Sequence, residues 1–471
     1  MERKIVANRI DRQTPVSEEL AKGHRRAAWV VILCLLIGAW DGYDMVVHGA
    51  VTPALLDYEP WALSATQVGT MASLALAGML VGALGSGVLS DMFGRKRLLI
   101  GSVIWFSASM ALCAMAPSPE VFMLLRFLGG LALGGVLPAA IALVAEFAPR
   151  HRRQFFNGVM NIGYSFGGIA ASLLAVWFLA DYGFRLMFWI GFLPVFVLVP
   201  VLMKWLPESA DYLILRGRFE EARATCTKYG MPWPPDEVGK AAGEGKPVNP
   251  LRTLCKREHI VVIVPLVATF FVGLMLTYGL NSWLPQIMRQ AGYPLTSALV
   301  SLMVLSMGAI VGIMTLSVLS DRFGPRPVVC WAFGVAVLSL YILSFSPPTP
   351  VFFAALFLAG IGANGTTVVL YGYTAALFPS ATRGTVLGLG MGIGRVGAIL
   401  GPQVGGFVLA MGAPVEWNFY AFMIPAALGP LIVLLVPRVA PSKARSKAYP
   451  GTSTLPSEAA AAGRAEEEAA R

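Results

Sequence analysis

Long apolar runs alternate with short polar breaks along almost the whole chain. The runs fall at about 27–55, 66–90, 97–116, 120–147, 154–180 and 185–206, and again at 258–288, 295–320, 327–346, 350–378, 383–410 and 416–437. Each approaches or exceeds the ~20 residues that an α-helix needs to cross a bilayer. Between the sixth and seventh runs the pattern changes. Residues 207–257 carry RGRFEEARATCTKYG, which predicts a short amphipathic helix, and then MPWPPDEVGKAAGEGKPVNP, a Pro/Gly-rich linker. The pattern predicts an all-α polytopic membrane protein with twelve transmembrane helices in two halves of six. Its divisions are an N-terminal segment at 1–26, a first half at 27–206, a central loop at 207–257, a second half at 258–437 and a disordered tail at 438–471. The first apolar run is longer than a signal-peptide core, so it is expected to be retained as a span.

Composition points the same way. Of the 471 residues, 56% are hydrophobic and only 13% are charged, against roughly a quarter charged in soluble domains. The net charge of +10 does not indicate nucleic acid, because the basic residues sit in short clusters between apolar runs. Alternate breaks hold Arg25 and Arg26, then Arg95, Lys96 and Arg97, then Arg150, Arg152 and Arg153, and later Arg322, Arg326, Arg383, Lys443, Arg445 and Lys447. The intervening breaks hold essentially Arg185 and Arg289 near span ends, with acids such as Asp57, Glu59 and Glu416. This bias predicts a plasma-membrane protein with both termini cytoplasmic. The five cysteines form no CxxC and the four histidines no cluster, so neither a disulfide framework nor a metal site is expected.

The halves repeat. GVLSDMFGRKR at 87–97 recurs as SVLSDRFGPRP at 317–327, and EFAPRHRR at 146–153 is echoed more weakly by LFPSATRG at 377–384. Asp91 to Asp321 and Pro149 to Pro379 are both 230 residues. One offset for two landmarks argues for duplication of a six-helix unit, an architecture of transporters with a substrate site between the halves. In the first copy Gly87, Asp91, Gly94, Arg95 and Arg97 form a pattern that resembles the signature loop of the major facilitator superfamily. Met92 departs from it, whereas the second copy has Arg322 beside Asp321. Such a loop is a latch, with Asp91 free to meet a helix N-terminus or an arginine of a neighbouring helix, and the glycines allowing a tight turn. Glu146, at the end of the fourth run, belongs to the same gating region. The resemblance covers about 27–437.

Chemistry enters with AWDGYDMVVHGAV at 39–51. At ~100° per residue, Asp41, Asp44 and His48 share one helix face within a ~60° arc. Ionisable groups inside a span face the bundle interior or a watery cavity and often mark an ion path. Two close carboxylates disfavour double ionisation, and burial disfavours ionisation further, so one of them can load and unload a proton near neutral pH. The alternative is that both pair with arginines to hold helices together. Arg395 lies deep in its run and needs an anion, either a protein carboxylate or that of a substrate; its planar fork suits a bidentate contact. Arg126 either pairs with Asp41 or Asp44 or snorkels to the interface. His48 is a packing residue or a substrate contact. An apolar slot with a few orienting polar groups has candidates in Tyr278, Asn281 and Trp283 on the seventh run, Asn364, Thr367 and Tyr371 on one face of the tenth, and Asn161 with Tyr164 on the fifth; each is equally a packing or interface residue.

The run DGYD followed by GAVTPAL resembles the aromatic acid:proton symporter branch of the superfamily, the benzoate and 4-hydroxybenzoate transporters. RFLGGLALGGVLPAAIALVAEFAP in the fourth run, YGLNSWLPQIM in the seventh and GIGRVGAILGPQVGG in the eleventh support the branch. The resemblance implies a secondary transporter that imports a small aromatic carboxylate with protons, and it implicates Asp41 and Asp44 in transport. It implies no cofactor beyond the proton gradient, a lipid bilayer as surroundings, no nucleic acid, and function as a monomer. A transporter of another organic acid, a polyol or sugar, or an exported drug remains the alternative. GPQVGG resembles an exporter signature, but that signature belongs in the fifth run, which reads GYSFGGIAAS without proline. No nucleophile and base stand poised at membrane depth, so an enzyme is not expected.

Overall fold

The computed structural model describes residues 2–148, 153–231, 233, 257–378 and 380–437. Pro149, Pro379, the linker beyond 233 and the tail beyond 437 lie outside the described residues, and so do the expectations attached to them. Among the described residues, eleven helices are long and apolar enough to cross a membrane. One of them, Phe155–Trp205, has 51 residues, more than twice what one crossing needs. Gly183, at φ 72°, breaks it into a fifth and a sixth span. The chain therefore makes twelve crossings, in the order read from the sequence.

The first span ends the helix Glu2–Leu56, and the next three are Ala65–Phe93, Arg95–Met115 and Pro119–Phe147. The fifth and sixth together occupy Arg153–Ile190 and Pro194–Trp205, the sixth beginning after Gly183. Two short helices, Ala210–Leu215 and Phe219–Tyr229, follow in the central segment. The second half runs Arg257–Gln290, Leu295–Phe323, Pro325–Ser344, Thr349–Leu377, Ser380–Ala410 and Val415–Leu434. Local chemistry sets the starts. Ser64 closes a capping box with Gln67 at the second span, and Ser118 accepts from the Val121 amide with Pro119 at the first turn of the fourth.

The duplication holds in three dimensions. Gly94 at φ 90° and Gly324 at φ 89° make the same sharp link in the two halves. A Cβ on Gly78 would sit 2.1 Å from the Phe127 carbonyl oxygen, and one on Gly308 would sit 2.1 Å from that of Phe357. Both residues of the second pair stand 230 places after those of the first. Small residues thus bring the second and fourth spans, and the eighth and tenth, into backbone contact. The first span packs on the fifth and the seventh on the eleventh. The second span packs on the eleventh and the fifth on the eighth, which joins the halves.

Those cross-half contacts gather at one end of the bundle, where the first and second spans and the seventh and eighth are linked. Thr52 Oγ1 donates to the Ser282 carbonyl at 3.2 Å. Gln403 Nε2 donates to Thr70 Oγ1 at 3.1 Å, and Ser73 Oγ to the Ile399 carbonyl at 2.7 Å. Arg289 and Asp57 pair at 2.6 Å at the rim. A Cβ on Gly69 would stand 2.8 Å from the Pro402 oxygen, and one on Gly406 2.7 Å from that of Ala65. At the opposite end, Arg95 and Lys96 bond within the first half, Arg326 and Tyr373 within the second, and Arg26 to the central helix Phe219–Tyr229.

Candidate functional site

The first span carries its three ionisable residues to three different places. Their shared face is real, but its arc is divided among neighbours. Asp44 Oδ1 accepts from Arg126 Nη1 at 2.5 Å, and both side chains are 4% exposed. Arg126 Nη2 also donates to the Asp44 backbone carbonyl at 3.3 Å, and the guanidinium lies over the Phe188 ring. The interface-snorkelling reading of Arg126 is corrected: the side chain is enclosed. Enclosure is affordable only because the carboxylate is there, since breaking such a pair costs about 3–5 kcal/mol. His48 Nε2 meets the Val68 carbonyl at 3.2 Å on the second span. Its ring packs there, with the Arg126 guanidinium also nearby.

Asp41 is wholly enclosed, and neither carboxylate oxygen has a hydrogen-bond donor. Four groups face it: Asp44 from its own span, Arg395 from the eleventh, Tyr164 from the fifth and Tyr278 from the seventh. Backbone contact fixes this geometry. A Cβ on Gly42 would lie 2.0 Å from the Tyr164 carbonyl oxygen, and one on Gly167 1.8 Å from that of Ala39. The first and fifth spans therefore touch directly beside Asp41, which leaves no room for water between them. A permanent charge without partners in that place would cost several kcal/mol. The carboxyl is suited instead to exchanging a proton.

Arg395, 8% exposed, takes neither expected anion in this conformation. Its Nη1 donates to the Met79 backbone carbonyl at 2.6 Å, across the boundary between halves. No carboxylate lies within ion-pair distance of it among the described residues. A guanidinium has five donors, so much of its capacity stays available for a carboxylate ligand. Tyr278 and Tyr371 flank it, and Tyr371 is half-buried with its ring 5.7 Å from that of Phe270. Asn364, Thr367 and Tyr371 are all half-buried on one face of the tenth span.

The other candidates are used elsewhere. Trp283 is enclosed, donates from Nε1 to the Pro402 carbonyl at 2.7 Å, and rests on Gly405 and Gly406. The GPQVGG stretch is its bed. Asn161 Nδ2 donates to the Asn157 carbonyl of its own helix at 2.8 Å. Asn281 is buried, its backbone oxygen 1.8 Å from where a Gly49 Cβ would stand.

The signature loop forms a network at the opposite end. Arg95 Nη1 pairs with Glu146 at 2.6 Å. Glu146 also accepts from Ser209 Oγ at 2.7 Å and from the Ala210 amide at 2.5 Å. It thereby caps the first turn of Ala210–Leu215. Glu208 accepts from the Lys96 amide at 3.0 Å, and Arg216 donates to the Met92 carbonyl at 2.5 Å. Gly94 is obligatory, because its φ is positive and a Cβ would fall 2.5 Å from Glu208 Oε2. Gly87, by contrast, has open space. Asp91, Arg97, Asp321 and Arg322 are exposed. Asp91 meets neither a helix N-terminus nor an arginine here, so the expected latch contact is absent from this conformation. The docking role of Glu208 and Ser209 was not read from the sequence, although PES before ADYLIL carries an N-cap serine that signals the helix.

Two repeated six-helix halves around buried charges define a polytopic membrane protein with a central site. The Major Facilitator Superfamily model matches residues 34–319 and 302–465. The chain belongs to the Major Facilitator Superfamily. It is 34% identical to the benzoate transport protein of Acinetobacter baylyi over 416 residues, covering 86% of this chain and 89% of that protein. It is 36% identical to the gentisate transporter of Corynebacterium glutamicum, with 88% of each chain covered. A 4-hydroxybenzoate transporter of Pseudomonas putida is 32% identical, with 87% of this chain and 92% of that one covered. In fold the chain matches the xylose transporter of E. coli in a partially occluded inward open conformation, at TM-score 0.72 and 16% identity, covering 88% of this chain and 98% of that one.

Proposed function

We propose that this protein imports a small aromatic carboxylate of the benzoate or hydroxybenzoate class together with protons, across a plasma membrane, as a monomer with both termini cytoplasmic. The observation that carries the reading is Asp41, sealed and without partners between the halves, with Arg395 facing it. The printed activities of the similar proteins, transport of benzoate, gentisate and 4-hydroxybenzoate, supply the substrate class. The half-buried aromatic rings beside Arg395 give an apolar slot with a cation at one end, which suits a flat ring bearing a carboxylate.

The cycle uses binding energy and no covalent step, cofactor or catalysis. The end of the bundle sealed by Thr52, Ser73 and Gln403 faces outward, so the site in this conformation communicates with the cytoplasm. When the halves rock to open the outer end, Asp41 takes a proton and the substrate carboxylate meets Arg395, displacing the Met79 carbonyl. Neutralising Asp41 removes an uncompensated charge, which allows the outer end to close over it. At the inner side the substrate leaves first, and the proton follows.

Uptake of a labelled panel of benzoate, hydroxybenzoates, gentisate and a neutral polyol, by cells that express the protein, tests the reading. Accumulation of one or more acids that a protonophore abolishes is the expected result. Accumulation of the polyol alone, or acid uptake indifferent to the protonophore, contradicts it.

A further inference from the structure

The proposed coupling gives Asp41 a difficulty. The proton it carries has to leave, yet the carboxyl is fully enclosed. Each group that faces it constrains the exit. Asp44 is engaged by Arg126 at 2.5 Å. Arg395 is a guanidinium, which donates hydrogen bonds without giving up its proton at any ordinary pH. The remaining neighbours are the hydroxyls of Tyr164 and Tyr278. A phenolic hydroxyl donates and accepts at once, so it can pass a proton along without holding charge.

Their surroundings differ in a telling way. The Tyr164 Oη atom is enclosed and without a hydrogen-bond partner. A buried hydroxyl without a partner costs about 1–3 kcal/mol, which is hard to account for in a packing residue. It stands beside the Tyr278 hydroxyl, close enough for the two to interact. Tyr278, across the boundary on the seventh span, is half-buried. From Asp41 outward, the polar atoms thus run from a sealed carboxyl to a sealed hydroxyl on the first half and then to the hydroxyl of a half-buried residue on the second.

We infer that Tyr164 and Tyr278 form a two-step proton relay leading from Asp41 across the boundary between the halves. The inference rests on the proton-coupled reading above. The Asp41 carboxyl O–H bond breaks as its proton passes to Tyr164 Oη. Tyr164 passes its own phenolic proton to Tyr278 Oη, and Tyr278 passes its own to a cavity water. Both tyrosines end neutral, Asp41 ends as a carboxylate facing Arg395, and the water carries the released proton. Rotation of the two hydroxyls resets the chain.

The test uses the full chain in proteoliposomes that hold a pH-sensitive dye, with labelled benzoate, gentisate and 4-hydroxybenzoate as probes. Two rates are measured: net uptake with its proton flux, which requires Asp41 to release its proton, and counterflow exchange, which does not. Tyr164→Phe and Tyr278→Phe each remove one oxygen atom. The ratio of net uptake to exchange is expected to fall at least about tenfold in either variant, a modest share of what proton transfer can contribute. Because the hydroxyls act in series, the double variant is expected to fall no further than the slower single one. An unchanged ratio in both variants overturns the relay, whether both rates survive or both fall together, and so does a double variant in which the two losses multiply. Should Tyr164→Phe fail to fold, the ratio for Tyr278→Phe decides alone. If the unmodified protein takes up the acids without proton flux, the coupled reading itself fails, and the relay with it.

Discussion

Arg126 and Asp44 show how one residue's meaning changes with its partner. Both stand in apolar runs where charge is costly, so the sequence marks them as functional or paired. The helical arc could not say which aspartate the arginine meets, because Asp41 and Asp44 are both within reach of a neighbouring helix. The structure gives Asp44 to Arg126 and leaves Asp41 to the interface between the halves. That division has a measurable consequence. Asp44→Leu and Arg126→Leu each strand a buried charge, and each is expected to lower stability by about 3–5 kcal/mol, whereas the double variant restores much of the loss. Heating detergent-solubilised protein and following the monodisperse fraction by size-exclusion chromatography reads this. Additive losses in the double variant would show that the pair contributes nothing as a pair. Asp41's isolation was not legible, since it depends on which atoms fail to arrive.

Spans were legible to within a few residues, because ~20 apolar residues between basic clusters leave few alternatives in a bilayer. The docking of Ala210–Leu215 on Glu146 was not, since it joins groups more than sixty residues apart with no periodic signal. The repeat was legible at the signature loop, but its functional asymmetry appears only on comparing the halves. At the 230-residue offset, Asp41, Asp44 and Arg126 correspond to Phe271, Leu274 and Leu356, while Arg395 corresponds to Ser165. The first half thus holds the buried carboxylates and the second the guanidinium that faces Asp41. Glycines set how closely these elements approach, and not all of them matter equally. Gly42→Ala would place a Cβ 2.0 Å from the Tyr164 oxygen, whereas a Cβ on Gly87 meets nothing within 4 Å. Gly42→Ala is therefore expected to reduce folded protein in the membrane severely and Gly87→Ala to leave it near the parent level, as quantified by a fluorescent fusion. Equal yields would mean that the first and fifth spans can part at no cost, against the tight contact described.

On the scale of the molecule, the end sealed between halves is held by shape more than by charge. The Arg289–Asp57 pair is exposed at the rim, 34% and 62% respectively, and such pairs contribute roughly 0–1 kcal/mol. The seal comes from Gly69 against Pro402 and the Trp283 ring, from Gly406 against Ala65, and from a few hydrogen bonds to backbone. A closure of this kind can open without breaking a strong bond, as an alternating cycle requires. What must then prevent idle opening and closing is the charge at the centre, and the account assigns that duty to Asp41. Asn in place of Asp41 mimics the protonated carboxyl permanently. The decisive measurement compares concentrative uptake with counterflow exchange of the same labelled aromatic acid in proteoliposomes bearing the parent protein or Asp41→Asn. The account predicts that Asp41→Asn exchanges substrate across the membrane but no longer accumulates it in response to an inward proton gradient. Concentrative, gradient-driven uptake retained in Asp41→Asn would contradict it.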